Sequence, residues 1–318
     1  GTVYGRSSLI DTVFDEIHQQ HCLFISGLPG IGKTTVGLAA AGKLVSNGLN
    51  VRWCTANEYS DFETLCHSMS ILSELPSDAN ALAEHLAHEC KDEVLVFDDV
   101  HMISSRHLGT FIAICQHMEG LQGPKMMFIG RETLPGFEAM NRVSIPQLEA
   151  KEAAKLLGKT LPRKESLHIA ERLGGHPLAL QLYQQDTTLP EENADIQSYV
   201  EDVVLSTLDA PTRSGMDHLV LLPQPVEAKK AYDDEVVGTL DDYAFLRWTS
   251  NMEKMEIQHL VRNVRRTSMS SAEKQELHRL AVTHWESCAE TVDDYVVLLF
   301  HRICAQSEEL DAHCTTAY

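Results

Sequence analysis

The sequence predicts an α/β P-loop fold with a parallel sheet, followed by a small helical domain and a winged-helix domain. Three observations carry that expectation. Residues 27–35 read Gly-Leu-Pro-Gly-Ile-Gly-Lys-Thr-Thr, a complete GxxxxGK[ST] loop. Short apolar runs alternate with helical patterns up to about residue 148, the order that builds a parallel sheet. Beyond residue 149 the chain reads as helices and then as a hairpin flanked by helices.

The first unit has the context that the loop chemistry needs. Cys22-Leu23-Phe24-Ile25-Ser26 reads as a buried strand, and residues 36–45 read as a helix. Strand, Gly-rich turn and helix form a phosphate cradle, because successive backbone N–H groups point inward and the helix N-terminus adds partial positive charge. Gly27, Leu28, Pro29, Gly30, Ile31, Gly32, Lys33, Thr34 and Thr35 are therefore candidate nucleotide-binding residues. Lys33 would reach the β- and γ-phosphates, and the Thr34 hydroxyl would hold Mg²⁺.

Asn50 to Cys54 reads as a second strand, and residues 61–90 as helical with a break near Pro76. Glu93 to Val100 is an apolar run that ends in Asp98 and Asp99. The first carboxylate is a candidate Mg²⁺ ligand, and the second could polarise an attacking water. A helical stretch follows from Ser105 to Glu119. Lys125 to Gly130 is another strand and delivers Arg131 to its end, where a guanidinium could sense a γ-phosphate. Arg142 to Ile145 is a short fifth strand. Ligands of such sheets sit at the carboxyl ends of the strands, where Gly27, Asp98 and Arg131 all fall.

Residues 149–158 and 164–173 read as helices, and Gly174-Gly175-His176-Pro177 breaks the pattern before it resumes at Leu178. Pro177 could lay a flat apolar face on an adenine ring. Residues 186–192 read as a linker. Helical patterns cover 196–207, 212–222 and 234–241, then residues 243–248 and 254–257 read as a hairpin. Helices from His259 and over 271–307 complete the chain. The expected domains are 1–148, a nucleotide-binding domain; 149–192, helical; 193–285, a winged helix; and 286–318, the start of a helical array.

Composition narrows the function. The 318 residues include 46 acidic and 26 basic ones, for a net charge of −20. Such a surface repels nucleic acid and anionic membranes unless a local basic patch reverses the field. Arg262, Arg265, Arg266, Lys274 and Arg279 form one candidate patch. There is no apolar run near transmembrane length. The eight cysteines form no CxxC pair and several sit in apolar stretches, so we expect reduced thiols and a cytoplasmic location.

Taken in order, five motifs resemble the STAND class of signal-transduction ATPases, near its NB-ARC and AP-ATPase branches. Val3-Tyr4-Gly5-Arg6 is similar to the N-terminal hhGR motif, Gly27 to Thr35 to Walker A, and Val94 to Val100 to Walker B. Ile129-Gly130-Arg131 is similar to the sensor strand, and Gly175-His176-Pro177-Leu178-Ala179 to the GxP motif. The resemblance implies an AAA+/STAND-like α/β P-loop NTPase that binds ATP or ADP with Mg²⁺. It places Tyr4, Gly5 and Arg6 near adenine and ribose, Pro177 on adenine, and Lys33, Asp98, Asp99 and Arg131 in slow ATP hydrolysis. Gln258 takes the position of the phosphate-contacting histidine of the class, and His259 follows it.

The resemblance further implies a molecular switch, closed with ADP and self-associating with ATP, that works with sensor and effector domains or proteins. The alternative is an origin-type or transcriptional ATPase that sets its winged helix on duplex DNA. A small-molecule phosphotransferase ranks last, because no acceptor-pocket pattern is visible.

Overall fold

The computed structural model describes residues 3–57, 60–71, 73–131, 134–158, 161–183, 189–190, 198–199, 208–243, 245–249 and 253–305. The chain divides into two compact units, 1–180 and 181–318.

The first unit is a parallel sheet with helices on both faces. Its strands are β1 (Cys22–Ser26), β2 (Asn50–Thr55), β3 (Glu93–Asp98), β4 (Lys125–Gly130) and β5 (Asn141–Ser144), in the order β2-β3-β4-β1-β5. Every pairing is parallel. Side chains of a strand alternate between faces, and the two halves of the core follow that rule. Cys22, Phe24, Leu95, Phe97, Met126 and Phe128 face α3 (Phe62–Ser68), α4 (Ala79–Glu89) and α5 (Ser105–Gly120). Leu23, Ile25, Val94, Val96, Met127 and Ile129 face α1 (Ser7–Gln19) and α2 (Lys33–Ser46). The aromatic face is tightly ordered: Phe97 stacks on Phe128 at 5.4 Å between ring centroids and meets Phe111 edge-on at 5.3 Å.

The helix expected over 149–158 is shorter. α6 covers only Ala150–Ala153, because bonds from Lys155 N to Glu152 O and from Leu156 N to Ala153 O tighten the following residues into turns. α7 (Arg163–Arg172) and α8 (Pro177–Leu182) follow. Between them, Gly174 and Gly175 both take positive φ. Gly175 admits no side chain, since a Cβ there would lie 1.9 Å from the Leu148 carbonyl oxygen.

The second unit contains α9 (Ala210–Leu219), β6 (Val226–Glu227), α10 (Ala228–Ala231), α11 (Asp234–Asp242), β7 (Leu246–Trp248), β8 (Lys254–Ile257), α12 (His259–Ser268), α13 (Ser271–Cys288) and α14 (Val292–Ala305). The expected hairpin is present as β7 and β8, antiparallel, with β6 completing a three-stranded sheet in the order β6-β8-β7. The helix expected over 196–207 and the linker over 186–192 lie almost wholly outside the described residues. The helical stretch expected over 271–307 is two helices. Ala289 turns extended, and the Asp294 carboxylate accepts from Glu290 N at 3.0 Å and Thr291 N at 2.8 Å, so a new helix starts there.

The described cysteines are free thiols, five of them buried. No helix among the described residues is long and apolar enough to cross a membrane.

Candidate nucleotide site

The phosphate loop joins β1 to α2 and bends through positive φ at Gly30 and Gly32, 72° and 96°. No side chain caps the N-terminus of α2, so its first N–H groups remain available to an anion. Lys33 is buried and folds back: its Nζ donates to the carbonyls of Gly27 at 3.0 Å and Leu28 at 2.8 Å. Burial lowers its pKa to about 8, Asp99 and Asp98 pulling the other way and Arg131 adding to the fall.

The two aspartates occupy the carboxyl end of β3. Asp98 is fully buried and accepts from the Thr34 hydroxyl, at 3.2 Å and 3.0 Å to its two oxygens, and from the backbone N–H of Asp99 at 2.9 Å. Asp99 adopts a left-handed conformation with φ 56° and ψ 34°, a placement that Asp tolerates and that clusters at functional sites. A hydroxyl bonded to a carboxylate is a fitting donor pair for Mg²⁺, which keeps waters and phosphates as its other ligands. Thr34 and Asp98 would hold the ion, and the ion would neutralise phosphate charge.

β4 lies between β1 and β3, and Arg131 follows it. The guanidinium is half-buried. Burial lowers its pKa, and the neighbouring Asp99 opposes that shift. Strand order thus brings together Lys33, Asp98, Asp99 and Arg131, which are up to 98 positions apart in sequence.

The N-terminal motif reaches the same loop. Arg6 is buried, and its Nη2 makes a long contact to the Ile31 carbonyl at 3.4 Å. Gly5 packs on α6, where a Cβ would come 2.7 Å from Glu152. Tyr4 is half-buried beside it. Pro177 opens α8, and the turn that carries it rests on the loop tip: a Cβ on Gly30 would lie 2.8 Å from Leu178.

One residue here lacked any assigned role in the sequence. His176 is buried, and its Nε2 lies 2.9 Å from the Pro29 carbonyl. It fills the variable position of the Gly-x-Pro turn, where no periodicity or spacing rule marks it.

Gln258 belongs to the second unit and precedes α12, with no side-chain capping bond; the side chain of His259 is outside the described residues. Within that unit the basic cluster is largely paired. Arg262 meets Glu256 at 3.5 Å, Arg265 meets Asp217 at 2.5 Å, and Arg279 meets Glu276 at 3.0 Å.

Residues 23–135 match the model of the ATPase family associated with various cellular activities (AAA). The fold is similar to a Signal Transduction ATPase with Numerous Domains (STAND) protein with a tetratricopeptide repeat sensor from Pyrococcus horikoshii. The TM-score is 0.73 at 18% identity, over 99% of this chain and 50% of that one. The chain therefore spans half the length of that protein. Cdc6p from Pyrobaculum aerophilum gives a TM-score of 0.42 at 14% identity, over 86% of this chain and 94% of that one. The Drosophila ORC bound to DNA gives 0.42 at 10% identity, over 85% and 88%. None of the curated proteins matches the sequence. The chain carries a P-loop ATPase domain of the AAA type, on the fold of a STAND-class ATPase.

Proposed function

We propose that the chain is the nucleotide-operated switch of a signal-transduction ATPase. In this reading ADP holds a closed state, ATP opens it to self-association, and slow hydrolysis resets it. The observation that carries it is the convergence of Lys33, Asp98, Asp99 and Arg131 beside the uncapped N-terminus of α2. Lys33 would bind the β- and γ-phosphates, and Thr34 with Asp98 would hold Mg²⁺. Asp99 would orient the attacking water.

Arg131 supplies the discrimination. A ligand shifts a two-state equilibrium only through its differential affinity for the two states. A half-buried guanidinium at the end of β4 gains a charge-assisted contact when a γ-phosphate is present and loses it with ADP. Pro177 would pack on adenine, with Tyr4, Gly5 and Arg6 near the base and ribose. Residues 149–192 would act as the helical domain and 193–285 as the winged helix, in which Gln258 takes the position that the class gives to histidine. Sensor and effector functions would reside in partner domains or proteins.

Solution scattering tests the reading. Mass and scattering profile are expected to differ between the ADP-loaded and the ATP·Mg²⁺-loaded chain carrying D99N, which is expected to slow hydrolysis during the measurement. Identical mass and profile in the two nucleotides would overturn the switch.

A further inference from the structure

Among the described residues, three side chains hold the oxygens of the phosphate loop, and they differ in kind. Lys33 holds Gly27 and Leu28, Arg6 touches Ile31, and His176 holds Pro29. Lys33 is a cation on a flexible stem, free to trade its carbonyls for a phosphate. His176 has no such freedom. Its Nδ1 accepts from the backbone N–H of Ala179 at 3.3 Å, while its Nε2 sits 2.9 Å from the Pro29 oxygen.

Those two bonds fix the proton. A ring nitrogen that accepts from an amide carries no hydrogen, so the proton is on Nε2, and Nε2–H donates to Pro29. The ring is neutral. Burial favours the same state by lowering the pKa; the bond to Pro29 opposes the shift, and the nearby Lys33 charge adds to it.

The bond fixes more than an oxygen. The peptides of the described chain are trans, and a trans peptide points its N–H opposite to its C=O. Holding the Pro29 oxygen therefore sets the direction of the Gly30 N–H, one of the loop amides. The fit leaves little room for another arrangement: a Cβ at Gly30 would lie 3.0 Å from His176 Cε1 as well as 2.8 Å from Leu178.

We propose that His176 is a positioning residue for the nucleotide: a neutral clamp that holds the Pro29–Gly30 peptide in the orientation that receives the β-phosphate. The claim rests on the nucleotide reading above and deepens it. When Lys33 turns towards a phosphate, Gly27 and Leu28 lose their partner, while Pro29 keeps its own. The clamp thereby preserves the loop between nucleotide-free and loaded states. It also joins the phosphate loop to the turn that presents Pro177.

Calorimetric titration of ADP and AMP into the full chain tests this with two variants. H176L removes the donor. H176Q can set an amide N–H where Nε2–H lies, and serves as the conservative variant. One net hydrogen bond corresponds to about a tenfold loss, which H176L is expected to show for ADP while AMP changes by no more than about twofold. H176Q is expected to recover most of the ADP affinity. Unchanged ADP affinity in H176L would overturn the clamp, and so would equal losses for ADP and AMP, which would mark the residue as structural only. Nitrogen-15 spectra of histidine in the wild-type protein give a readout that needs no variant: a neutral Nε2–H tautomer is expected, and an Nδ1–H tautomer would overturn the proposal. Failure of the wild type to bind ADP would remove the nucleotide reading and the clamp together.

Discussion

The two units bury polar groups in different ways. In the first, Arg6, Lys33, Asp98, Asp99 and His176 are buried around one loop at the carboxyl end of a parallel sheet. The Lys33 ammonium rests on two carbonyls, which are weak compensation for a buried cation. In the second unit, Arg262, His278, Asp294 and His301 are buried too, but each is answered locally. Arg262 meets Glu256, Asp294 meets Lys230 at 2.9 Å, and His278 meets His301 at 2.8 Å between Nδ1 atoms. The lesson is that burial of charge alone does not mark a site. Convergence on a place where a further ion completes the charge balance does.

The largest effect is expected from K33A, which should weaken ADP and ATP by about a hundredfold and leave the melting temperature of the nucleotide-free protein nearly unchanged. Calorimetry with a parallel thermal melt checks both; a large loss of stability with intact binding would place Lys33 with the structural charges. D99N should slow steady-state hydrolysis by about a hundredfold while ADP affinity holds. Turnover at the wild-type rate would remove Asp99 from the chemistry.

Smaller effects belong to the second unit and should appear as stability rather than binding. Burial lowers the pKa of His278 to about 4, with Arg266 adding to the shift. Burial lowers that of His301 to about 3, helped by His278, His218 and His284. An unfolded histidine takes up its proton near pH 6.5, so between pH 6.5 and 4 the unfolded chain binds more protons. Stability is therefore expected to fall as pH drops through that window, by at most about 2 kcal/mol at pH 5 after allowance for solvent screening. A chemical melt followed by tryptophan fluorescence, with a stability flat from pH 7 to 5, would contradict it. D294A removes both the cap of α14 and the buried partner of Lys230, and should cost about 2–3 kcal/mol in a chemical melt with no change in ADP affinity.

The first unit was largely legible in the sequence because its elements carry local marks. The phosphate loop has a fixed spacing, and β1, β3 and β4 are continuous apolar runs ending in functional residues. What was not legible is their order in space. Pairing of β1 with β4 and β5 is long-range, so the approach of Arg131 to Asp99 and Lys33 had to be supplied by the fold. α1 carries Leu9, Ile10, Val13, Phe14 and Ile17 at helical spacing, but no side chain caps its start to mark it. β6 left no trace, since two residues after Pro223 and Pro225 show no alternation. The break between α13 and α14 was hidden because Ala289 and Glu290 are both acceptable helix formers, and a carboxylate four residues on decides the matter. His176 was invisible for a related reason: its partner, Pro29, lies 147 positions away.

The most direct measurement is to denature freshly purified protein and identify the released nucleotide by chromatography. ADP at close to one equivalent per chain is the expected result, because a closed switch retains its diphosphate. An empty site, or a guanine nucleotide in its place, would contradict an ADP-closed switch.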